Sequence, residues 1–112
     1  MSPQLFQLTV YTPASHSESV KEALFEAGAG KIGNYDRCCF ETAGTGQFRP
    51  LPGSDPFCGE TGEVCKTPEI KLEMICKKDV LPAVIKALLK AHPYETPAYH
   101  YFPVAGTPPE TY

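Results

Sequence analysis

Residues 70–95, IKLEMICKKDVLPAVIKALLKAHPYE, carry two periodicities in succession, and the switch between them decides the fold. Ile70, Leu72, Met74 and Cys76 alternate with Lys71, Glu73, Ile75 and Lys77, the period of two of a strand with one face in a core. Leu81, Val84, Ile85, Leu88 and Leu89 then recur at helical spacing and form the strongest amphipathic face in the chain. Asp79 is placed to cap that helix. Pro82 falls in its first turn, where the missing N–H is harmless. The helix is expected to stop at Ala91-His92-Pro93, because a proline disfavours helix in the residue before it.

The N-terminal half repeats the strand-then-helix order. Phe6, Leu8 and Val10 alternate with Gln7, Thr9 and Tyr11, which predicts a strand over residues 4–12. Ser15 and Glu18 have the spacing of a capping box. Val20, Ala23, Leu24 and Ala27 define the apolar face of the helix that follows, and Gly28 and Gly30 end it. Residues 34–42 read as a second strand from their aromatic and cysteine content, with Asp36, Cys38 and Phe40 on one face. A last strand is expected from Ala98 to Phe102. The order βαββαβ with right-handed crossovers is the ferredoxin-like split βαβ fold. It is an α+β sandwich of a four-stranded antiparallel sheet with both helices on one face. The other face is left bare, and is expected to be polar or covered by oligomerisation.

A chain of 112 residues, 42% hydrophobic and 21% charged, has the composition of one globular domain, with its core over residues 4–103. Twelve Pro and nine Gly make up 21 of the residues, and nine of these fall between 43 and 68. That segment is expected to be a long Gly/Pro loop between the second and third strands. Its embedded Phe48, Leu51 and Phe57 favour a packed loop or extended hairpin over disorder, and a neighbouring subunit is one surface it could order against. Residues 104–112 read as a Pro/Gly tail.

Ten basic and thirteen acidic residues give a net charge of −3, and the pair Lys77-Lys78 is the largest basic cluster. No nucleic-acid partner is expected from that distribution. The sequence holds no apolar run long enough for a membrane span, and Met1-Ser2-Pro3-Gln4 does not read as a secretory leader. The five cysteines are odd in number and lack C-x-x-C spacing, so reduced thiols and a cytoplasmic location are expected.

The chemistry concentrates at His92-Pro93-Tyr94-Glu95, where a histidine, a phenol and a carboxylate share one turn. His92 and Glu95 could ligate a metal or move a proton. They could also be structural, with His92 at a helix C-terminus and Glu95 accepting backbone hydrogen bonds, and residue types alone favour that reading. Cys58 and Cys65 are separated by six residues, too many for a usual zinc pair, and Cys38 and Cys76 read as core fillers. His100 reads as a surface or interface residue. Gly28-x-Gly30-x-x-Gly33 follows a helix instead of opening one, so it reads as a helix stop and not as a dinucleotide fingerprint. No nucleophile arrangement is legible, no catalytic residue is assigned, and the residues do not specify an enzyme.

Three stretches, GAGKIGNYDRCCF (28–40), GTGQFRP (44–50) and AHPYETPAY (91–99), make the chain similar to the YqfO-type domain of the Nif-three-like family. The resemblance covers residues 4–103, and the domain is expected to occur here as a stand-alone chain. It implies a fold like that of CutA and the PII signalling proteins, often trimeric, with strands or loops exchanged between subunits. Full-length relatives are implied to be hydrolase-like or type-two GTP cyclohydrolase homologues, with two metal ions in flanking core domains. That dinuclear site transfers to no residue of this sequence. Where such relatives commonly have Asp after the last tyrosine of the third motif, this chain has His100. The matching positions Gly33, Tyr35, Gly44, Gly46, Phe48, His92, Pro93, Tyr94 and Glu95 imply a shared surface. Of these, Tyr35, Gly44, Gly46, Phe48, His92, Tyr94 and Glu95 are the candidate ligand-binding residues, and His92 and Glu95 the candidate ligands of a divalent metal, the one cofactor considered.

The expected function is a non-enzymatic regulatory or protein-interaction module of CutA/PII-like type, a homo-oligomer with a trimer favoured, and with a protein partner whose identity is open. It would bind a small ligand between the Gly-rich loop and the HPYE turn, at a subunit cleft. The alternatives are a metal-binding protein using the HPYE turn, and a metal-dependent hydrolase acting on a nucleotide or phosphorylated compound.

Overall fold

β1 (Leu5–Pro13), a 3-10 turn (Ala14–His16), α1 (Ser17–Glu26), β2 (Phe40–Phe48), β3 (Cys65–Lys77), α2 (Leu81–Ala91) and β4 (Tyr99–Pro103) follow one another in the computed structural model, which describes residues 4–106. The strands form one antiparallel sheet in the order β2-β3-β1-β4, the ferredoxin-like α+β arrangement. Val10 lies opposite Leu72 and Leu8 opposite Met74, so the apolar sets of the two central strands share a face. Val20 and Leu24 of α1 and Leu81, Val84 and Leu88 of α2 close over that face into one core. Each fully buried Leu or Val contributes about 1.5–3 kcal/mol relative to exposure. The core therefore dominates the stability of the domain.

The opposite face is mostly polar. Gln7 donates to Glu73 (2.8 Å), and Lys71 pairs with Glu73 at 3.6 Å. A row of rings crosses it: His100, exposed, lies 6.2 Å from Tyr11 and stacks on Phe102 at 6.2 Å. β2 and β4 form the two sheet edges.

Several boundaries differ from the sequence reading. β2 starts at Phe40, not at residue 34. Ile32 and Tyr35 exchange backbone hydrogen bonds (2.9 and 3.0 Å) in a tight turn, and Arg37 adopts φ 55°, so residues 34–39 cannot run as a strand. Cys38 thus lies ahead of the strand, and Cys39 packs against the core in its place. Cys76 is buried as expected, and burial, with Asp79 nearby, pushes its thiol up to about 11. β2 runs on to Phe48, paired with Cys65, so residues 43–48 and 65–68 belong to strands and the connection shrinks to 49–64. The aromatics that argued against disorder lie in or beside this extended hairpin.

Neither expected cap forms. His16 is the N-cap of α1 without a side-chain bond, Ser15 Oγ meets His16 Nδ1 instead (2.9 Å), and Ser17 Oγ donates to Ala14 O (3.1 Å). Val80, not Asp79, precedes α2. There a backbone turn, Val80 N–H to Lys77 O (3.2 Å) and Leu81 N–H to Lys78 O (3.3 Å), starts the helix. Gly28, Gly30 and Gly33 all have positive φ, as a helix stop and turn require. At Gly30 a Cβ would also meet Cys38 O and the Phe25 ring at 2.9 Å. Of the expected tail, Val104 still donates to Leu5 O (3.0 Å), whereas 107–112 lie outside the described residues.

Leu88→Ala is expected to lower the urea-unfolding free energy by about 2–5 kcal/mol. Leu89→Ala, one residue on but 52% exposed, is expected to change it by less than about 0.5 kcal/mol. Equal losses would place Leu89 in the core.

Candidate functional site

The site begins where α2 stops. Ahead of Pro93, His92 turns to an extended conformation (φ −72°, ψ 133°), and its side chain swings beneath the end of β1. The ring is buried, at 6% exposure. Nε2 lies 2.7 Å from Tyr11 O, and Nδ1 accepts the backbone N–H of Tyr94 at 3.1 Å. One state satisfies both bonds, the neutral imidazole carrying its proton on Nε2. Burial lowers the His92 pKa, opposed in part by the Tyr11 carbonyl and by Glu69, while His16 lowers it further.

The turn this creates aims Tyr94 at the sheet. Its hydroxyl donates to Glu69 Oε2 (2.7 Å), and burial together with that carboxylate pushes the phenol pKa well above its ordinary value. Glu69 occupies the face of β3 opposite the core, and its carboxylate lies across Gly46 of the neighbouring strand. A Cβ at Gly46 would fall inside van der Waals contact with that carboxylate, so a larger residue there would push the Glu69 side chain aside.

The connection 49–64 folds back over the turn. Phe48 and Phe57 stand 5.8 and 6.0 Å from the Tyr94 ring, and Phe57 makes an edge contact with His16 at 5.2 Å. Both oxygens of Glu95 accept the backbone N–H of Asp55 at 3.0 Å, which ties the tip to the turn. Inside the connection, Ser54 Oγ donates to Leu51 O (2.7 Å) and Gly62 N–H to Pro50 O (2.8 Å). Between tip and turn lies a cleft of about 270 Å³, walled chiefly by Tyr11, Phe48, Pro50, Pro56, Phe57 and Tyr94, with Glu69 and Glu95 as its acidic groups. That volume is near the lower end of the ~300–1,000 Å³ of small-molecule sites.

Phe48, Tyr94 and Glu95 thus meet at one cleft, with the His92 ring tilted against Tyr94 at 5.0 Å and Gly46 beside the Glu69 carboxylate. Gly44 pairs with Glu69 in the strand but has open space around it. Tyr35 is elsewhere: it is 74% exposed, in the turn after α1, which Gly30 N–H anchors to Ile75 O (2.8 Å) near the far end of β3. The sequence reading missed Tyr11, Glu69 and Asp55. Extending the alternation of Lys71 and Glu73 back by two residues would have placed Glu69 on the same face. His92 has both ring nitrogens engaged and so offers a metal no free lone pair in this arrangement, whereas Glu95, exposed, accepts one backbone N–H, that of Asp55. Among the described residues no group of three or more His, Cys, Asp or Glu is disposed to hold a metal ion. Cys65 lies by Cys58, and its thiol is raised first by burial and then by that neighbour.

The depressed His92 pKa sets a sign for pH dependence. The unfolded imidazole binds a proton near pH 6.5 and the folded one only at lower pH, so this contribution is complete above about pH 6.5 and is lost as pH falls through the folded value. Melting temperature is expected to drop between pH 7 and 5, and His92→Gln to flatten that slope. An unchanged slope in the variant would assign the effect to other groups. Gly46→Ala is expected to change the denaturant-unfolding free energy by less than about 1 kcal/mol, because the group it displaces is the flexible end of the Glu69 side chain.

No family model matches the chain. Over 106 residues it is 48% identical to the GTP cyclohydrolase 1 type 2 homolog of Bacillus subtilis (strain 168), covering 95% of this chain and 28% of that protein. The crystal structure of a Bacillus cereus protein related to NIF3 superposes with a TM-score of 0.80 at 37% identity, over 95% of this chain and 27% of that one. CutA1 from Shewanella sp. SIB1 superposes with a TM-score of 0.67 at 20% identity, over 98% and 90% of the two chains, and shares the fold. The chain spans just over a quarter of the length of the NIF3-related relatives it matches. It is the counterpart of one domain-sized region of the NIF3-related proteins, built on the CutA1 fold.

Proposed function

We propose that this region is a non-enzymatic regulatory or protein-interaction module of the CutA/PII-like type, which binds a small ligand between the HPYE turn and the tip of the β2–β3 connection. The observation that carries this reading is the cleft itself. Its floor is rigid, because Tyr94 and Glu69 are fixed to each other and to the sheet. Its roof is a 16-residue connection held to the turn by the Glu95–Asp55 contact and by aromatic packing. A ligand wedged between floor and roof would set the position of the tip, and an exposed tip is what a partner would read. Leu51 at 59% and Val64 at 58% exposure supply apolar surface there.

The same reading includes a homo-oligomer, with a trimer favoured. β2 and β4 offer two open sheet edges, and Phe40, Tyr101 and Phe102 are exposed on or beside them. The cyclohydrolase in the relatives' name belongs to proteins of which this chain spans 28%, and no cyclohydrolase step is placed on its residues.

Thermal melting against a small-molecule collection is expected to return compounds whose stabilisation is lost in Phe48→Ala. Hits that shift wild type and Phe48→Ala equally would move the site elsewhere. Light scattering is expected to give a mass several times 12.2 kDa, and a stable monomer at micromolar concentration would remove the oligomer from the reading.

A further inference from the structure

We propose that the cleft takes an organic cation, an ammonium group carried on a short aromatic or alkyl body. This rests on the small-ligand reading above and names the chemical class of that ligand. The first ground is charge. Glu69 and Glu95 both line the cleft, and among the described residues no Lys, Arg or His side chain does. An anion entering it would meet two carboxylates with no counter-charge, in surroundings less polar than water, where like charges repel strongly. A nucleotide or other phosphorylated compound is therefore the wrong class for this site.

The second ground is the walls. Tyr94 stands between Phe48 and Phe57, 5.8 and 6.0 Å from each, and Tyr11 adds a further ring. Aromatic faces carry the negative end of their quadrupole and attract a desolvated cation, most of all an alkylated ammonium. Pro50 and Pro56 complete an apolar lining that would take the body of the ligand.

The third ground is that the acid is positioned before any ligand arrives. Tyr94 O–H holds one oxygen of Glu69, and the missing side chain at Gly46 leaves the carboxylate room to lie along the sheet. An ionised carboxylate accepts several hydrogen bonds over its two oxygens, so an ammonium can join the tyrosine on the same group. Charge, ring faces and a fixed acceptor together describe a site for a cation with an apolar body.

The test uses the full chain in calorimetric titration and thermal melting. The probes are phenethylammonium and benzyltrimethylammonium, the neutral 2-phenylethanol, the anionic phenylacetate, and GTP. The ammonium probes are expected to raise the melting temperature and to bind about tenfold or more tightly than the neutral isostere. Glu69→Gln is expected to weaken them by about tenfold while leaving the neutral probe unchanged. Melting without ligand checks that the variant is folded, and Glu95→Gln serves as a second carboxylate variant. Equal or tighter binding of 2-phenylethanol, phenylacetate or GTP would overturn the cation assignment. So would unchanged ammonium binding in both Gln variants, or failure of both ammonium probes while other compounds bind in a Phe48-dependent way. Each of those results leaves the small-ligand reading standing. Failure of every probe, and of every compound in the wider collection, would overturn both.

Discussion

One buried imidazole holds together the end of this domain that carries the cleft. His92 bonds the carbonyl of Tyr11, near the end of β1, and, through its other nitrogen, the backbone of the residue two places on. The arrangement needs a neutral ring, because an imidazolium has two donors and no acceptor for the Tyr94 N–H. Burial favours the same neutral state, so desolvation and hydrogen-bond geometry act in one direction. With the turn so locked, the Tyr94 hydroxyl has one short path to the sheet, and Glu69 is at its end.

The strand that receives it serves two environments along one backbone. The C-terminal half of β3 buries Leu72, Met74 and Cys76 in the core, while its N-terminal half continues beyond the helices and presents Glu69 on the opposite face. A site residue on such a strand inherits the rigidity of the core without lying in it. The neighbouring strand contributes by what it lacks. Gly46 removes the side chain that would otherwise stand where the Glu69 carboxylate lies.

The elements buried in the core were legible because their periodicity records their environment. Leu72, Met74 and Cys76, and Leu81, Val84 and Leu88, alternate or recur as their burial demands, and the chain order then leaves one sheet topology. β2 was misplaced because it is an edge strand, almost wholly exposed and with glycines at 44 and 46, so no apolar alternation marks it. Its register is set by pairing with β3, a long-range contact that no local window contains. The caps failed for a related reason. The 3-10 turn before α1 takes the Ser17 N–H and the backbone turn before α2 takes the Leu81 N–H, while Pro82 has no N–H to cap. At the site, the HPYE turn and Phe48 announced themselves by residue type. Tyr11, Glu69 and Asp55 did not, since each is ordinary in its own segment and becomes part of a site only through folding across the sheet.

The contacts that hold the cleft differ in strength, and the difference gives it a direction of response. The floor rests on bonds to a buried imidazole and on a phenol–carboxylate pair that is partly shielded from water. The roof rests on Glu95, an exposed carboxylate for which water competes, and on Phe57, which is 49% exposed. Separating roof from floor breaks no strand pairing, so it costs less than moving the floor. Under the proposed reading, a ligand between them would act on the connection 49–64 before the core. A frame shared with CutA1 at 20% identity cannot specify such a response, whereas the residues of one loop and one turn can. That places the individuality of this domain in the 49–64 connection and the HPYE turn, and leaves the sheet and helices as the support that keeps Tyr94 and Glu69 in position.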